Sequence, residues 1–219
     1  MRVDLPMGRR ERGKVDKRRR IMAAARTVFG EKGYDAATLR EIAERADVAI
    51  GTLFIYATNK RDLLMMIVND ELDEISKTPQ APPESGHDVV DDLLAFFRQR
   101  YEFWVDDPEL ARAAMREMNA PYVESTEIGI ELLRGLRRRA QIVECVAHIL
   151  RMRSAIDNIT YADDLDVVAW FLTDIYLSEV RLWLNDERPT VEGGIGRLRR
   201  MFALATTGVV RPPLEVFLT

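Results

Sequence analysis

Cysteine and histidine are scarce in this chain. Among 219 residues there are one cysteine, Cys145, and two histidines, His87 and His148. A single cysteine excludes a disulfide within the chain and is typical of a protein in a reducing compartment. Two distant histidines and one cysteine do not supply the ligands of a usual zinc site, so neither a metal nor a cofactor is expected.

Long apolar runs are also missing. No stretch of 18 apolar residues occurs, so no transmembrane helix and no membrane partner are expected. The basic residues at the N-terminus are not followed by the apolar core of a signal peptide, which favours a cytoplasmic protein. Strand-like alternation of apolar and polar residues does not extend over any useful length. These absences predict an all-α fold.

Charge is distributed unevenly along the chain. Residues 1–61 contain 15 Lys and Arg against 8 Asp and Glu, whereas residues 62–219 contain 17 against 28. Because residues 1–61 are basic and the rest of the chain is acidic, we expect only the N-terminal part to bind a polyanion. Arg9 and Arg10 lie within residues 1–15, a stretch that we expect to be disordered and to wrap onto DNA.

Residues 38–60 have the pattern of two short helices joined by a tight turn. Thr38 and Glu41 have the T-x-x-E spacing of a capping box. Asp47 tolerates the left-handed backbone conformation that a tight turn uses. A second short helix follows over residues 50–56, and a helix of this length is not stable alone. The pattern predicts a helix-turn-helix, whose second helix enters the major groove of DNA.

Apolar spacing predicts further helices along the rest of the chain. A Pro-rich segment at residues 77–86 separates the N-terminal part from the remainder. Gly33 is expected to end the first helix, and Gly129 and Gly135 are possible breaks in a long one. The predicted helices cover residues 17–32, 60–76, 89–105, 109–119, 123–157, 163–185 and 191–207.

The stretch from Thr38 to Lys60 resembles the DNA-binding signature of the tetracycline-repressor (TetR) family, T-x-x-x-I-A-x-x-A-G-V-S-x-G-T-L-Y-x-Y-F-x-x-K. The matching residues are Thr38, Ile42, Ala43, Ala46, Val48, Gly51, Thr52, Leu53, Tyr56 and Lys60. Four positions differ: Asp47 replaces glycine, Ala49 serine, Phe54 tyrosine and Ala57 phenylalanine. The change to Ala49 removes a side-chain cap, at a cost of about 1 kcal/mol.

The resemblance implies two functional domains. Residues 1–62 would form a three-helix DNA-binding domain with the helix-turn-helix at about 38–57, and residues 63–219 a helical domain for effector binding and dimerisation. The residues expected to contact DNA are Thr38, Ile50, Gly51, Thr52, Phe54, Tyr56 and Lys60, together with Arg9 and Arg10 of the basic arm.

Proteins of this family enclose a small-molecule effector among the helices of their second domain, which implies a largely apolar effector here. Candidate pocket residues are Phe97, Tyr101, Trp104, Met115, Met118, Tyr122, His148 and Trp170. Aromatic residues and methionines at helical spacing also build ordinary cores, so both interpretations stay open for each residue.

The resemblance also implies a homodimer that pairs through the last two helices. Apolar residues surround much of the helix predicted at 163–185, and a helix apolar on more than one side needs a second partner. Phe171, Ile175, Leu198 and Phe202 are the expected interface residues.

The expected function is that of a one-component transcriptional regulator, a repressor that binds a near-palindromic operator as a dimer and is released by a ligand. An enzyme is one alternative, but the sequence has no recognisable set of convergent catalytic groups. A DNA-coating protein without an effector is another, which footprinting would distinguish. The effector, the operator, the direction of regulation and a redox role for Cys145 stay open.

Overall fold

The computed structural model describes residues 8–77, 88–119, 130–157, 160–161 and 164–211. These residues form the helices α1 (Arg9–Ala36), α2 (Leu39–Arg45), α3 (Ile50–Tyr56), α4 (Lys60–Lys77), α5 (Val89–Asp106), α6 (Pro108–Asn119), α7 (Ile130–Asp157), α8 (Leu165–Leu184) and α9 (Val191–Val209). A two-residue antiparallel pair joins β1 (Thr160–Tyr161) to β2 (Val210–Arg211). The all-α prediction is confirmed, with this pair as its one exception in the described chain. None of the described helices has the length and apolar character that a membrane span requires.

The chain divides into two compact units. Unit 1 comprises the ranges Met1–Glu71 and Ala113–Gly135, and unit 2 comprises Leu72–Arg112 and Leu136–Thr219. Helices α4, α6 and α7 therefore each contribute residues to both units. The functional boundary expected at residue 62 stays a prediction.

The first helix begins earlier than the sequence indicates. Residues 1–15 are predicted to be disordered. For residues 9–15 this prediction is wrong, because they form the first turns of α1. Arg and Lys are good helix formers, and an ion pair of 3.0 Å from Lys14 to Glu11 links residues one turn apart. Residues 1–7 lie outside the described chain.

Of two glycines that are predicted to interrupt helices, one does so and the other does not. Gly33 interrupts α1 as predicted, with a φ of 77° that favours glycine. Gly135, a predicted possible break, lies inside α7, which continues through it without interruption. A glycine costs a helix only about 1 kcal/mol relative to alanine, and buried residues such as Val146 and Leu150 hold α7 in place. Gly129 lies outside the described residues.

The core of unit 1 combines the apolar stripes of α1 to α4. Ile21 from α1, Ile42 from α2, Leu53 from α3 and Leu63 from α4 are completely buried. Helices α2 and α3 have seven residues each and are too short to persist alone. Burial of these side chains against neighbouring helices therefore stabilises the helix-turn-helix.

Unit 2 has an aromatic core built from α5, α8 and α9. Phe97 stacks on Tyr176 with their ring centroids 4.3 Å apart, and Tyr101 meets Trp183 edge to face at 4.8 Å. The hydroxyl of Tyr101 donates a hydrogen bond of 2.5 Å to the buried carboxylate of Glu179. Aromatic packing and a satisfied polar pair thus join α5 to α8.

Helix α9 packs closely against α5 at Gly194. A Cβ atom at this position would lie 2.3 Å from Cε1 of Tyr101 and 3.2 Å from Nε1 of Trp183. Tyr101 is itself completely buried and Trp183 is too. The packing of α9 therefore requires a residue without a side chain here.

We expect Gly194→Ala to reduce the free energy of unfolding by about 1–3 kcal/mol, because overpacking forces the Tyr101 ring or α9 to shift. Gly196→Ala is the matched control, since nothing lies within 4 Å of a Cβ at that position of the same helix. The control should raise stability by up to about 1 kcal/mol, the gain from replacing a helical glycine. Chemical denaturation measures both, and equal stability of the two variants would contradict the close approach.

Candidate functional site

A capping box begins the helix-turn-helix, as predicted. The hydroxyl oxygen of Thr38 accepts a hydrogen bond from the Glu41 main-chain N–H, and the Thr38 N–H donates to the Glu41 carboxylate. Lys32 of α1 pairs with the same carboxylate, and this hydrogen bond, supported by those from Thr38, lowers the pKa of Glu41. The start of α2 is therefore fixed by local hydrogen bonds and by a contact to α1.

The turn between α2 and α3 depends on Asp47 and on an arginine that sequence reasoning missed. Asp47 adopts a φ of 50°, the left-handed conformation that the sequence predicts. The guanidinium of Arg20 donates to the main-chain oxygens of Ala46 and Asp47, and it reaches the Asp47 carboxylate at 2.9 Å. Arg20 lies 26 and 27 residues from these partners, so no local pattern reveals its role.

Helix α3 exposes most of the residues expected to read DNA. Its N-cap residue, Ala49, makes no side-chain hydrogen bond, as its sequence predicts. Leu53 is buried, whereas Ile50, Phe54 and Ile55 are 39%, 49% and 79% exposed. Gly51 is also exposed and Thr52 is half-buried. The outer face of α3 thus combines apolar side chains, the Thr52 hydroxyl and the exposed backbone of Gly51. Ile55 is a further exposed residue that was not among the predicted DNA contacts.

Other predicted DNA contacts differ in their surroundings. Arg9 and Arg10 are exposed in the first turn of α1, and Thr38 is exposed at the start of α2. The hydroxyl of Tyr56 donates to the main-chain oxygen of Lys14 at 3.2 Å, which ties α3 to α1. The contacts of these residues with DNA stay predictions.

Lys60 has a structural role that the sequence did not suggest. Its ammonium group donates to the main-chain oxygens of Tyr34, Asp35 and Ala37 at 2.8, 2.8 and 3.1 Å, and it lies 4.7 Å from the centre of the Tyr34 ring. An ammonium group has three donors, and all three are used here. A phosphate contact by Lys60 stays a prediction.

The predicted pocket residues differ in their surroundings. Phe97, Tyr101 and Trp104 lie together in the buried core of unit 2, where the Trp104 indole donates to Tyr176 at 3.1 Å. Tyr101 is a satisfied core group, and burial raises its pKa. The remaining candidates are placed as follows: Met115 is buried in unit 1, Met118 is half-buried in unit 1, His148 and Trp170 are exposed, and Tyr122 lies outside the described residues.

The expected dimer residues fall into two groups. Leu198 and Phe202 are completely buried within unit 2, so they are not available to a second subunit as the prediction requires. Apolar residues at helical spacing there fill the subunit's own core. Phe171 is 48% exposed and Ile175 is half-buried. Only the α8 members of the predicted set can meet a partner.

The described part of the chain brings no three His, Cys, Asp or Glu side chains together as metal ligands. The candidate site in unit 1 is instead an exposed short helix on a capped helix-turn-helix, with a basic first helix in the same unit. These features define a helix-turn-helix protein that binds DNA.

Comparison with known proteins agrees with this assignment. Residues 21–65 match the family described as bacterial regulatory proteins, tetR family. The transcriptional repressor KstR of Rhodococcus jostii is 28% identical over 171 residues, which are 78% of this chain and 74% of KstR. These similarities indicate a TetR-family transcriptional regulator.

Two solved structures show the same fold. One is FadR of Thermus thermophilus, a TetR-family repressor in complex with lauroyl-CoA, with a TM-score of 0.64 at 21% sequence identity. The superposed residues are 85% of this chain and 93% of the FadR chain. FadR of Bacillus subtilis, in complex with stearoyl-CoA, has a TM-score of 0.57 at 17% identity, with coverages of 84% and 96%.

We expect Lys60→Met to lower the free energy of unfolding by about 1–3 kcal/mol, because three carbonyl groups lose a charged donor. Lys17→Met, at an exposed position of α1, is the matched control and should leave stability nearly unchanged. Thermal denaturation compares the two. Equal melting temperatures would show that the Lys60 hydrogen bonds do not stabilise the helix-turn-helix.

Proposed function

We propose that the protein is a cytoplasmic, dimeric repressor that binds a near-palindromic operator, is released by a small-molecule effector and has no catalytic activity. The exposed face of α3 carries this proposal. A helix as short as α3 is held in place by Leu53, Tyr56 and the turn at Asp47, while its other side chains remain open to a ligand. The choice of repression is supported by the similarity to the transcriptional repressor KstR.

DNA recognition would combine α3 with the start of α1. Ile50 can contact a thymine methyl group, and the Thr52 hydroxyl can bond to a base edge. Arg9 and Arg10 would neutralise phosphates, which supplies affinity without reading sequence. Two copies of α3 in a dimer would enter successive major grooves.

The effector signal would reach the DNA-binding helices through α6 and α7. Within unit 1, Arg116 of α6 pairs with Asp35 of α1 at 2.7 Å, and Arg61 of α4 contacts Glu117 of α6. Because α6 also contributes residues to unit 2, a shift of that helix would move its partners in unit 1.

Helix α7, like α6, contacts other helices of unit 1 through polar side chains. Asn69 of α4 donates to the main-chain oxygen of Glu131 at 2.7 Å, and Arg134 pairs with Asp70 of α4 at 2.8 Å. Arg18 of α1 shares the Asp70 carboxylate. An effector changes DNA affinity through such contacts only if it binds one arrangement of the helices better than the other.

We propose a long-chain acyl thioester of coenzyme A as the effector class. The FadR structures solved with lauroyl-CoA and stearoyl-CoA support this choice, as does the aromatic core of unit 2. An apolar wall with a few polar groups is the usual lining of a small-molecule site.

Selection from random duplexes followed by footprinting tests this function. The protein should protect one near-palindromic site, and lauroyl-CoA or stearoyl-CoA should weaken that binding while coenzyme A alone should not. Thr52→Ala should reduce the preference for the selected site over random DNA by about 1 kcal/mol, because one base contact is lost. Protection along the whole duplex would support a DNA-coating protein, and release by none of the acyl thioesters would exclude the effector class.

The dimer interface that we propose lies on the exposed apolar surface of α8. Val167, Trp170, Phe171 and Leu182 are 53%, 44%, 48% and 58% exposed. The first three recur at three- and four-residue spacing, so they share one face of the helix. Large apolar side chains that remain exposed on one helix face mark an interaction surface.

We expect Trp170→Glu combined with Phe171→Glu to yield a monomer with reduced operator affinity, since a charge buried in an interface without a partner is costly. Ile156→Glu, which replaces an exposed apolar residue of α7 in unit 2, is the control for added negative charge. Sedimentation measures the mass of each protein. A double variant that remains dimeric would exclude α8 as the interface.

A further inference from the structure

One buried charge in unit 2 differs from all the others. The other buried charged residues of this unit have partners of opposite sign: Arg138 pairs with Asp73, Arg153 with Asp92 and Glu179 with Arg197. Arg100 of α5 is only 7% exposed and, among the residues that the structure describes, forms no ion pair. Such a residue needs an explanation, because an uncompensated charge is costly to bury.

Arg100 occupies a position where the helix pattern calls for an apolar residue. The buried face of α5 includes Leu93, Phe97 and Trp104, and Arg100 lies between the last two at helical spacing. Its guanidinium carbon lies 3.9 Å from the centre of the Phe96 ring and 6.0 Å from that of Phe97. Contact with aromatic faces offsets part of the burial cost but satisfies no N–H donor.

The guanidinium retains most of its hydrogen-bonding capacity. A guanidinium group has five N–H donors. In the described chain, Arg100 donates one hydrogen bond, from Nη1 to the main-chain oxygen of Phe96 at 2.9 Å. Burial lowers the pKa of Arg100, and the nearby positive charge of Arg138 contributes to the same effect. The site is therefore electropositive and has donors to spare.

Helix α8 carries two buried hydroxyl groups, and that of Tyr176 is close enough to Arg100 to interact with its charge. Tyr176 is fully enclosed, and its ring stacks on Phe97, the ring that Arg100 also borders. The Tyr176 oxygen accepts from Trp104, while its own proton has no acceptor among the described residues. Thr173 lies one turn earlier on the same helix, is completely buried, and its hydroxyl makes no hydrogen bond.

We propose that Arg100 binds the oxyanion of an amphipathic ligand, a carboxylate or phosphate group carried on an apolar body. A guanidinium matches the geometry of either oxyanion with two parallel hydrogen bonds. The Tyr176 hydroxyl would supply a further donor, and the apolar body would lie against the rings of Phe96 and Phe97 that Arg100 already contacts. This assignment rests on the proposed effector-binding function, and it names the part of the ligand that unit 2 recognises.

Binding of four probes to the full-length protein without DNA tests the proposal. Dodecanoate, dodecyl phosphate and lauroyl-CoA, each below its micellar concentration, carry an oxyanion, while 1-dodecanol has the same chain without a charge. Wild-type protein should bind at least one anionic probe about tenfold or more tightly than dodecanol, the advantage of a charge-assisted hydrogen bond. The three anionic arms distinguish a carboxylate from a phosphate monoester and from a coenzyme A thioester.

Arg100→Met should abolish this preference while leaving the affinity for dodecanol unchanged. Arg100→Lys, which keeps the charge but loses the two-pronged geometry, should retain part of it. Arg98→Met is the matched control on the same helix, because Arg98 already pairs with Glu192, and it should bind every probe as the wild type does.

Stability separates this role from a structural one. Without ligand, Arg100→Met should melt at the same temperature as the wild type or higher, since it removes an unpaired buried charge. A clearly lower melting temperature, an unchanged preference in Arg100→Met, or a wild type that binds no anion more tightly than dodecanol overturns the proposal. Operator binding by each variant is measured separately, so failure of the anion site is distinguishable from failure of the repressor function.

Discussion

The ammonium group of Lys60 donates hydrogen bonds to three main-chain carbonyls where α1 ends. Those carbonyls follow the break at Gly33 and precede the cap at Thr38, so one side chain connects the first residue of α4 to the start of the helix-turn-helix. Arg20 of α1 fixes the turn between α2 and α3 by hydrogen bonds to the main-chain oxygens of Ala46 and Asp47. Because α2 and α3 are too short to persist alone, the position of α3 depends on these hydrogen bonds from Lys60 and Arg20 as well as on apolar burial.

Unit 2 buries charged side chains within its core. Its aromatic core contains charges, and most of them are neutralised inside the unit, as in the contact of Glu179 with Tyr101 and Arg197. Arg100 is the exception, and its lack of an anionic partner within the described chain is a cost that a bound anion would remove. Stability given up at a binding site is a recurrent feature of functional proteins.

Local chemistry made much of unit 1 predictable from sequence. The capping box at Thr38, the left-handed Asp47 and the break at Gly33 each depend on residues within a few positions, and all three are confirmed. Contacts over long sequence separations were not predictable, which explains why Arg20 and the role of Lys60 were missed. Periodicity marks a buried helix face but does not say whether its own subunit or a partner covers it, as Leu198 demonstrates.

An effector bound in unit 2 and an operator bound at α3 should each weaken the binding of the other. Thermodynamic linkage requires the effect to be reciprocal, so the most direct measurement is calorimetric titration of lauroyl-CoA into the protein with and without a saturating concentration of the selected operator duplex. The account predicts that the operator weakens lauroyl-CoA binding by the same factor by which lauroyl-CoA weakens operator binding. An affinity for lauroyl-CoA that is the same with and without the operator would contradict it.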